Sequence, residues 1–173
     1  MTEKDFLNRL ANGKGDFLQT FLDLLKAKKI SFCVIGGLAV NAYVDPVVSL
    51  DLDAVLVADQ IAALLPVLKK KFKVERFANS INIGSKDSDL RIQIQTDARY
   101  QPFIKRAIKK DVLGYKLPVA DIRDVFQGKV WAASDDTRRP SKRQKDLADI
   151  LRLMEAKSDL KKMLPEKLRK QLF

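Results

Sequence analysis

Two aspartates, Asp51 and Asp53, stand inside the apolar run VVSLDLDAVLV at residues 47–57. Aspartate is depleted in strands, and like charges sharing a face repel. Alternate strand residues share a face, so Ser49, Asp51 and Asp53 point one way and Leu50, Leu52 and Ala54 the other. Two residues of extended chain span roughly 6.6 Å, which lets both carboxylates converge on one cation. Carboxylates on rigid backbone are hard oxygen ligands suited to Mg²⁺ (or Mn²⁺) carrying a nucleotide's phosphates. Solvated acids at a strand edge are the competing reading, and the flanking Leu, Val and Ala argue against it.

About a dozen residues earlier, VIGGLAVNAY reads as a strand, Gly36-Gly37 and a helix. Glycine lets backbone approach an anion closely, and free N–H groups at a helix start can seat a phosphate. Any tight strand-to-helix turn can use glycine, so this signal is weak alone. The stretch RRPSKRQK, residues 138–145, holds five cations and no acid, and could hold phosphates of a nucleotide or nucleic acid.

Composition removes much else. The chain has no histidine, which excludes imidazole zinc sites, Ser-His triads and histidine general bases. Cys33 is the only cysteine, so no intrachain disulfide forms, and a cytoplasmic location is expected. In ISFCVI it reads as a small core residue rather than a nucleophile. No stretch of ~18 apolar residues would span a membrane, and MTEKDFLNRL lacks a signal-peptide core. A net charge of +11 favours a polyanionic partner, nucleotide or nucleic acid.

The elements that must position these residues follow from periodicity. Asp16 and Gln19 predict a capped helix with Phe17, Phe21, Leu24 and Leu25 as its stripe. ISFCVI and the aspartate run are strands. A helix from Gln60 to about Phe72 is kinked or broken at Pro66. KVERF, NSINIG and LRIQIQT are strands, the last with Leu90, Ile92 and Ile94 opposite Arg91, Gln93 and Gln95. Residues 98–109 predict a helix, and VLGYKLPV a hairpin or two extended pieces. IRDVFQGKVWAA, a helix capped by Ser141 and Gln144, and a short one from Pro165 complete a helical last third.

GGLAVNAY followed by SLDLDAVL resembles the nucleotidyltransferase fold of the DNA polymerase β type. KVWAASDDTRRPSKRQKDLADILRLMEA resembles the C-terminal part of its small bacterial and archaeal members, including AbiEii-type toxins and relatives of the minimal nucleotidyltransferases. The resemblance runs roughly from Ile30 to Ala156 and implies an α/β (α+β) fold, a small mixed sheet flanked by helices. Residues 1–118 would form the core with an N-terminal helix, and residues 119–173 a helical part packed on it, or all one domain.

The resemblance also implies roles. Gly36 and Gly37 would hold a triphosphate beside Ser49, and Asp51 and Asp53 a catalytic metal. Lys142, Lys145 and Asp146 match a segment that contacts the nucleotide and completes the site, with Lys129 falling where a lysine often precedes it. For Asp146 the alternative is simple pairing, with Asp149, to nearby helix cations. Arg138, Arg139 and Arg143 would bind nucleic acid. Two positions depart from the pattern. Val47 stands where an arginine is usual, and the third metal carboxylate becomes Gln93, or Gln95 in a shifted register. An amide can offer oxygen to a metal but cannot take a proton. Asp97 shares the strand parity but lies past the strand end.

The expectation is a metal-dependent enzyme moving a nucleoside monophosphate from an NTP to an RNA (tRNA by analogy) or protein hydroxyl, in a toxin–antitoxin setting with a cognate antitoxin partner. The alternative is a non-catalytic nucleotide- or nucleic-acid-binding module on the same fold.

Overall fold

The computed structural model describes residues 1–173. Two helices, α1 (Glu3–Leu10) and α2 (Phe17–Ala27), lead into β1 (Phe32–Ile35) and the short α3 (Gly36–Val40). The aspartate strand β2 (Asp51–Leu56), α4 (Ala58–Lys71), β3 (Lys73–Arg76), β4 (Ser80–Ser85) and β5 (Ser88–Gln95) follow. A 3₁₀ segment (Ala98–Arg106) precedes the hairpin of β6 (Ile108–Val112) and β7 (Tyr115–Val119). Helices α5 (Ile122–Ser134) and α6 (Pro140–Ala156), a 3₁₀ turn (Ser158–Met163) and α7 (Glu166–Leu172) end the chain.

The seven strands form one mixed sheet in the order β3-β4-β5-β2-β1-β7-β6. The aspartate strand therefore lies inside the sheet, antiparallel to β1 and parallel to β5. Alternation works as the sequence predicts. Leu52, Ala54, Ile92 and Ile94 are buried, while Asp51, Asp53, Gln93 and Gln95 share the other face, only partly covered. Register fixes a row across the sheet: Asn82 opposite Gln93, Gln93 opposite Asp53, and Asp53 opposite Ile35. One buried apolar cluster runs from Leu7 to Leu168 and joins the sheet to the C-terminal helices.

Several elements differ from expectation for local reasons. Residues 98–109 form no α-helix. Pro102 sits inside a 3₁₀ segment that stops at an extended Ala107, and edge strand β6 takes Ile108 onward. Helix α4 runs through Pro66 without a break. Ser141 does not cap α6, because Pro140 takes the first helical position after Arg139 and starts the helix two residues earlier than a Ser141 cap would. Helix α1 carried a readable signal that periodicity alone passes over, a Thr2–Asp5 capping box. No helix is long and apolar enough to cross a membrane.

Candidate active site

The turn after β1 brings its glycines onto the aspartate strand. Gly36 has φ +69°, and a Cβ there would lie 2.1 Å from Asp53 Oδ2. Only glycine permits both the left-handed backbone and the carboxylate beneath it. A Cβ on Gly37 would find Ser49 Oγ at 3.8 Å and Lys145 Nζ at 4.0 Å, so Gly37, Ser49 and Lys145 gather at one point. Ser49 is buried, and its hydroxyl accepts a hydrogen bond from the Asp51 N–H at 3.3 Å.

The two aspartates sit in different surroundings. Asp51 Oδ1 accepts from both Arg91 Nε and Nη2 at 2.8 Å, and Lys142 Nζ stands 3.5 Å from Oδ2. Asp53 has no salt bridge from the chain; burial pushes its carboxyl up, opposed chiefly by the field of Lys129. Gln93 lies beside Asp53 in register. Gln95 turns back on its own loop, where Oε1 accepts from the N–H groups of Thr96 and Asp97. Asp97 caps the 3₁₀ segment and is engaged by Arg99, which holds its carboxyl low, so it stays outside the aspartate pair.

Behind the pair lies a charged network from α5 and α6. Lys129 is buried, 2.9 Å from Asp146 and 2.8 Å from Asp149. Burial alone would pull its ammonium down, but these two carboxylates outweigh that and hold it above the ordinary lysine range. Asp146 Oδ2 meets Arg138 Nε at 2.5 Å, so both its oxygens are occupied by cations, the pairing that was the alternative reading for this residue. Asp149 also binds Arg152, whose other Nη donates to the Asp45 carbonyl on the loop ahead of β2.

Two adjoining spaces open here. An inner cavity of about 100 Å³ is bounded by Gly36, Asp53, Gln93, Tyr100, Lys129 and Asp146. An outer cleft of about 330 Å³ has no hydrophobic residue in its lining and carries Arg91, Arg138, Arg139 and Lys142. Arg143 instead points to Asp136, at 3.7 Å. Sequence reasoning missed Arg91 and Asn82 as site residues. Arg91 shares the strand face of Gln93, which was a usable signal; Asn82, whose buried Oδ1 has no hydrogen-bond partner, needed the β4–β5 register.

The donor set fits a divalent cation. Two carboxylates on alternate strand residues, with an amide beside them, are hard oxygen ligands that could hold such an ion. Desolvation holds the Asp53 carboxyl up despite the fields of Lys129, Arg138 and Lys142, and a cation bound there would favour its charged form.

Comparison with known proteins agrees with this geometry. The family described as "Nucleotidyl transferase AbiEii toxin, Type IV TA system" matches residues 17–172. No curated protein matches the chain. Among solved structures, the antibiotic-resistance factor ANT(2'')-Ia is similar at TM-score 0.64 and 12% identity, covering 89% of this chain and 90% of that one. The lincosamide antibiotic adenylyltransferase LnuA, lincomycin-bound, gives 0.56 and 12%, over 82% and 99%. A putative nucleotidyltransferase of Thermotoga maritima gives 0.53 and 15%, over 87% and 95%. At such identities these neighbours speak for the fold, a nucleotidyltransferase fold, while the match across nearly the whole sequence speaks for the family: the chain belongs to the AbiEii nucleotidyltransferase toxins of type IV toxin–antitoxin systems.

Proposed function

We propose that the chain transfers a nucleoside monophosphate from an NTP to an RNA hydroxyl, with Asp51 and Asp53 holding one Mg²⁺ or Mn²⁺. The observation that carries this reading is the convergence of Gly36, Asp53, Ser49 and Lys145 with the cationic cleft of Arg138, Arg139 and Lys142. Gly36 and Gly37 let backbone approach the triphosphate, and the cleft cations neutralise it and steady the leaving pyrophosphate. When bound, the metal supplies charge neutralisation and polarises the phosphoryl oxygens. The Lys129–Asp146–Arg138 network fixes α5 against α6 and aims Arg138 at the cleft. In this reading Gln93, paired with Asp53, takes the place of a third carboxylate; it can orient a hydroxyl but not deprotonate it. Phosphoryl transfer rests largely on positioning and electrostatics, so the reaction proceeds there at reduced rate.

LnuA is a lincosamide antibiotic adenylyltransferase, yet an outer cleft with four cations and no apolar side chain suits a sugar–phosphate acceptor better. The net charge of +11 supports the same choice. A cytoplasmic protein with a cognate antitoxin partner fits this reading. A second reading, a binding module without turnover, is favoured by Gln93 and by the closure of Asp51 with Arg91.

The test incubates the protein with each α-labelled NTP, Mg²⁺ and total RNA, beside Asp51→Asn and Asp53→Asn. Label on RNA from the parent, lost in both variants, is the expected result. Mg²⁺–NTP or RNA bound without any transfer would establish the binding module instead.

A further inference from the structure

Arg91 has no assigned part in this site, yet it sits on one of the two aspartates. Asp51 and Arg91 are lateral partners across the parallel β2–β5 pair, and two guanidinium nitrogens reach Oδ1 at 2.8 Å. Lys142 of α6 stands 3.5 Å from Oδ2. Both carboxylate oxygens of Asp51 therefore already face a cation, while Asp53 has no such partner. The Arg91 side chain is 66% exposed, and an ion pair this open adds little to folding stability. Its effect falls on whatever enters the cleft.

A bare divalent ion must displace Lys142 and lie close to the Arg91 guanidinium, a like-charge contact that weakens binding. A triphosphate changes the balance, because its anionic oxygens give Arg91, Lys142, Arg138 and Arg139 new partners and free Asp51. Gln93 adds no negative charge to offset these four cations. We infer that Arg91 is a positioning residue that couples metal entry to nucleotide binding, so the site takes its divalent ion together with a triphosphate and holds the free ion poorly. Coupling of this kind is reciprocal: the metal must tighten the nucleotide by the same factor.

The inference rests on the nucleotidyltransferase reading, and the experiment separates the two. Protein-bound radiolabelled Mn²⁺ is measured by equilibrium dialysis at matched free Mn²⁺, with and without a non-hydrolysable NTP analogue. Parent, Arg91→Gln, Arg91→Lys and Asp53→Asn are compared, each checked for a parent-like unfolding transition. The analogue is expected to tighten Mn²⁺ at least about fivefold in the parent. Arg91→Gln should bind free Mn²⁺ more tightly and lose most of that enhancement, and Arg91→Lys should restore part of it. Equal free-ion affinity and equal enhancement in parent and Arg91→Gln would overturn the coupling while leaving the metal site intact. Absence of Mn²⁺ binding sensitive to Asp53→Asn, with and without the analogue, would overturn the nucleotidyltransferase reading and the coupling with it.

Discussion

Adjacent glycines should respond in opposite ways to one added methyl group. At Gly36 an alanine must adopt φ near +69°, a left-handed conformation that costs an L-residue ~1–2 kcal/mol. Its Cβ would also lie 2.1 Å from Asp53 Oδ2 and 2.9 Å from Asp53 Cβ, so the aspartate side chain and the central strand must give way. Overpacking of this kind adds ~1–3 kcal/mol, for a total of about 2–5 kcal/mol. At the midpoint of ~3.5 kcal/mol, the melting temperature of a chain this size falls by roughly 7–14 °C. At Gly37 the backbone is helical and the nearest atoms are 3.8 Å away or more, so alanine changes stability by no more than about 1 kcal/mol. That methyl group nevertheless points between Ser49 and Lys145, and should lower transfer by roughly tenfold or more. Thermal and urea unfolding of both variants, with the labelled-NTP assay, separates the effects. If Gly36→Ala melts with the parent, or if both variants lose the same stability, the close approach of Gly36 to Asp53 is refuted.

Lys129→Met leaves Asp146 and Asp149 buried without their shared ammonium and should cost about 3–5 kcal/mol in urea unfolding, toward the lower end because Arg138 and Arg152 remain. Because the folded-state value of Lys129 is raised, its contribution is fully present below the ordinary lysine range near 10.5 and fades as pH climbs through the higher folded value. The stability gap between parent and Lys129→Met should therefore hold flat at neutral pH and shrink only in strong alkali. Burial pushes the Cys33 thiol up to about 12, so iodoacetamide at pH 8 should label it only after denaturation, as read by mass spectrometry. Arg152→Ala removes a link between α6 and the Asp45 carbonyl, and should raise amide hydrogen exchange in residues 44–50 while the sheet stays protected.

What the sequence could and could not disclose follows from the range of each interaction. The Ser49, Asp51, Asp53 face and the Arg91, Gln93, Gln95 face were readable because strand alternation is local. Pairing those faces was not, since the Arg91–Asp51 contact joins residues 40 apart through a parallel register that nothing nearby specifies. The same limit hid Asn82 beside Gln93, and hid that Gln93 pairs with Asp53 while the side chain of Gln95 bonds to its own loop. Lys129 was marked out by resemblance alone, and its burial between Asp146 and Asp149 depends on where α5 meets α6. The 3₁₀ segment defeated a helical pattern that was present in Tyr100, Phe103 and Ile104, because Pro102 and the pull of β7 on its hairpin partner outweighed periodicity.

The cleft borrows its acids from β2 and most of its cations from Arg138, Arg139 and the start of α6. In chain order these lie far apart, and at ~5–20 residues per second several seconds of translation separate them. A nascent chain stalled before Arg138 carries both aspartates and both glycines but none of the three cations that α6 and its approach contribute to the cleft. The site is thus a late product of synthesis, and a partner engaging the growing chain before α6 docks meets a protein whose cleft is still unfinished.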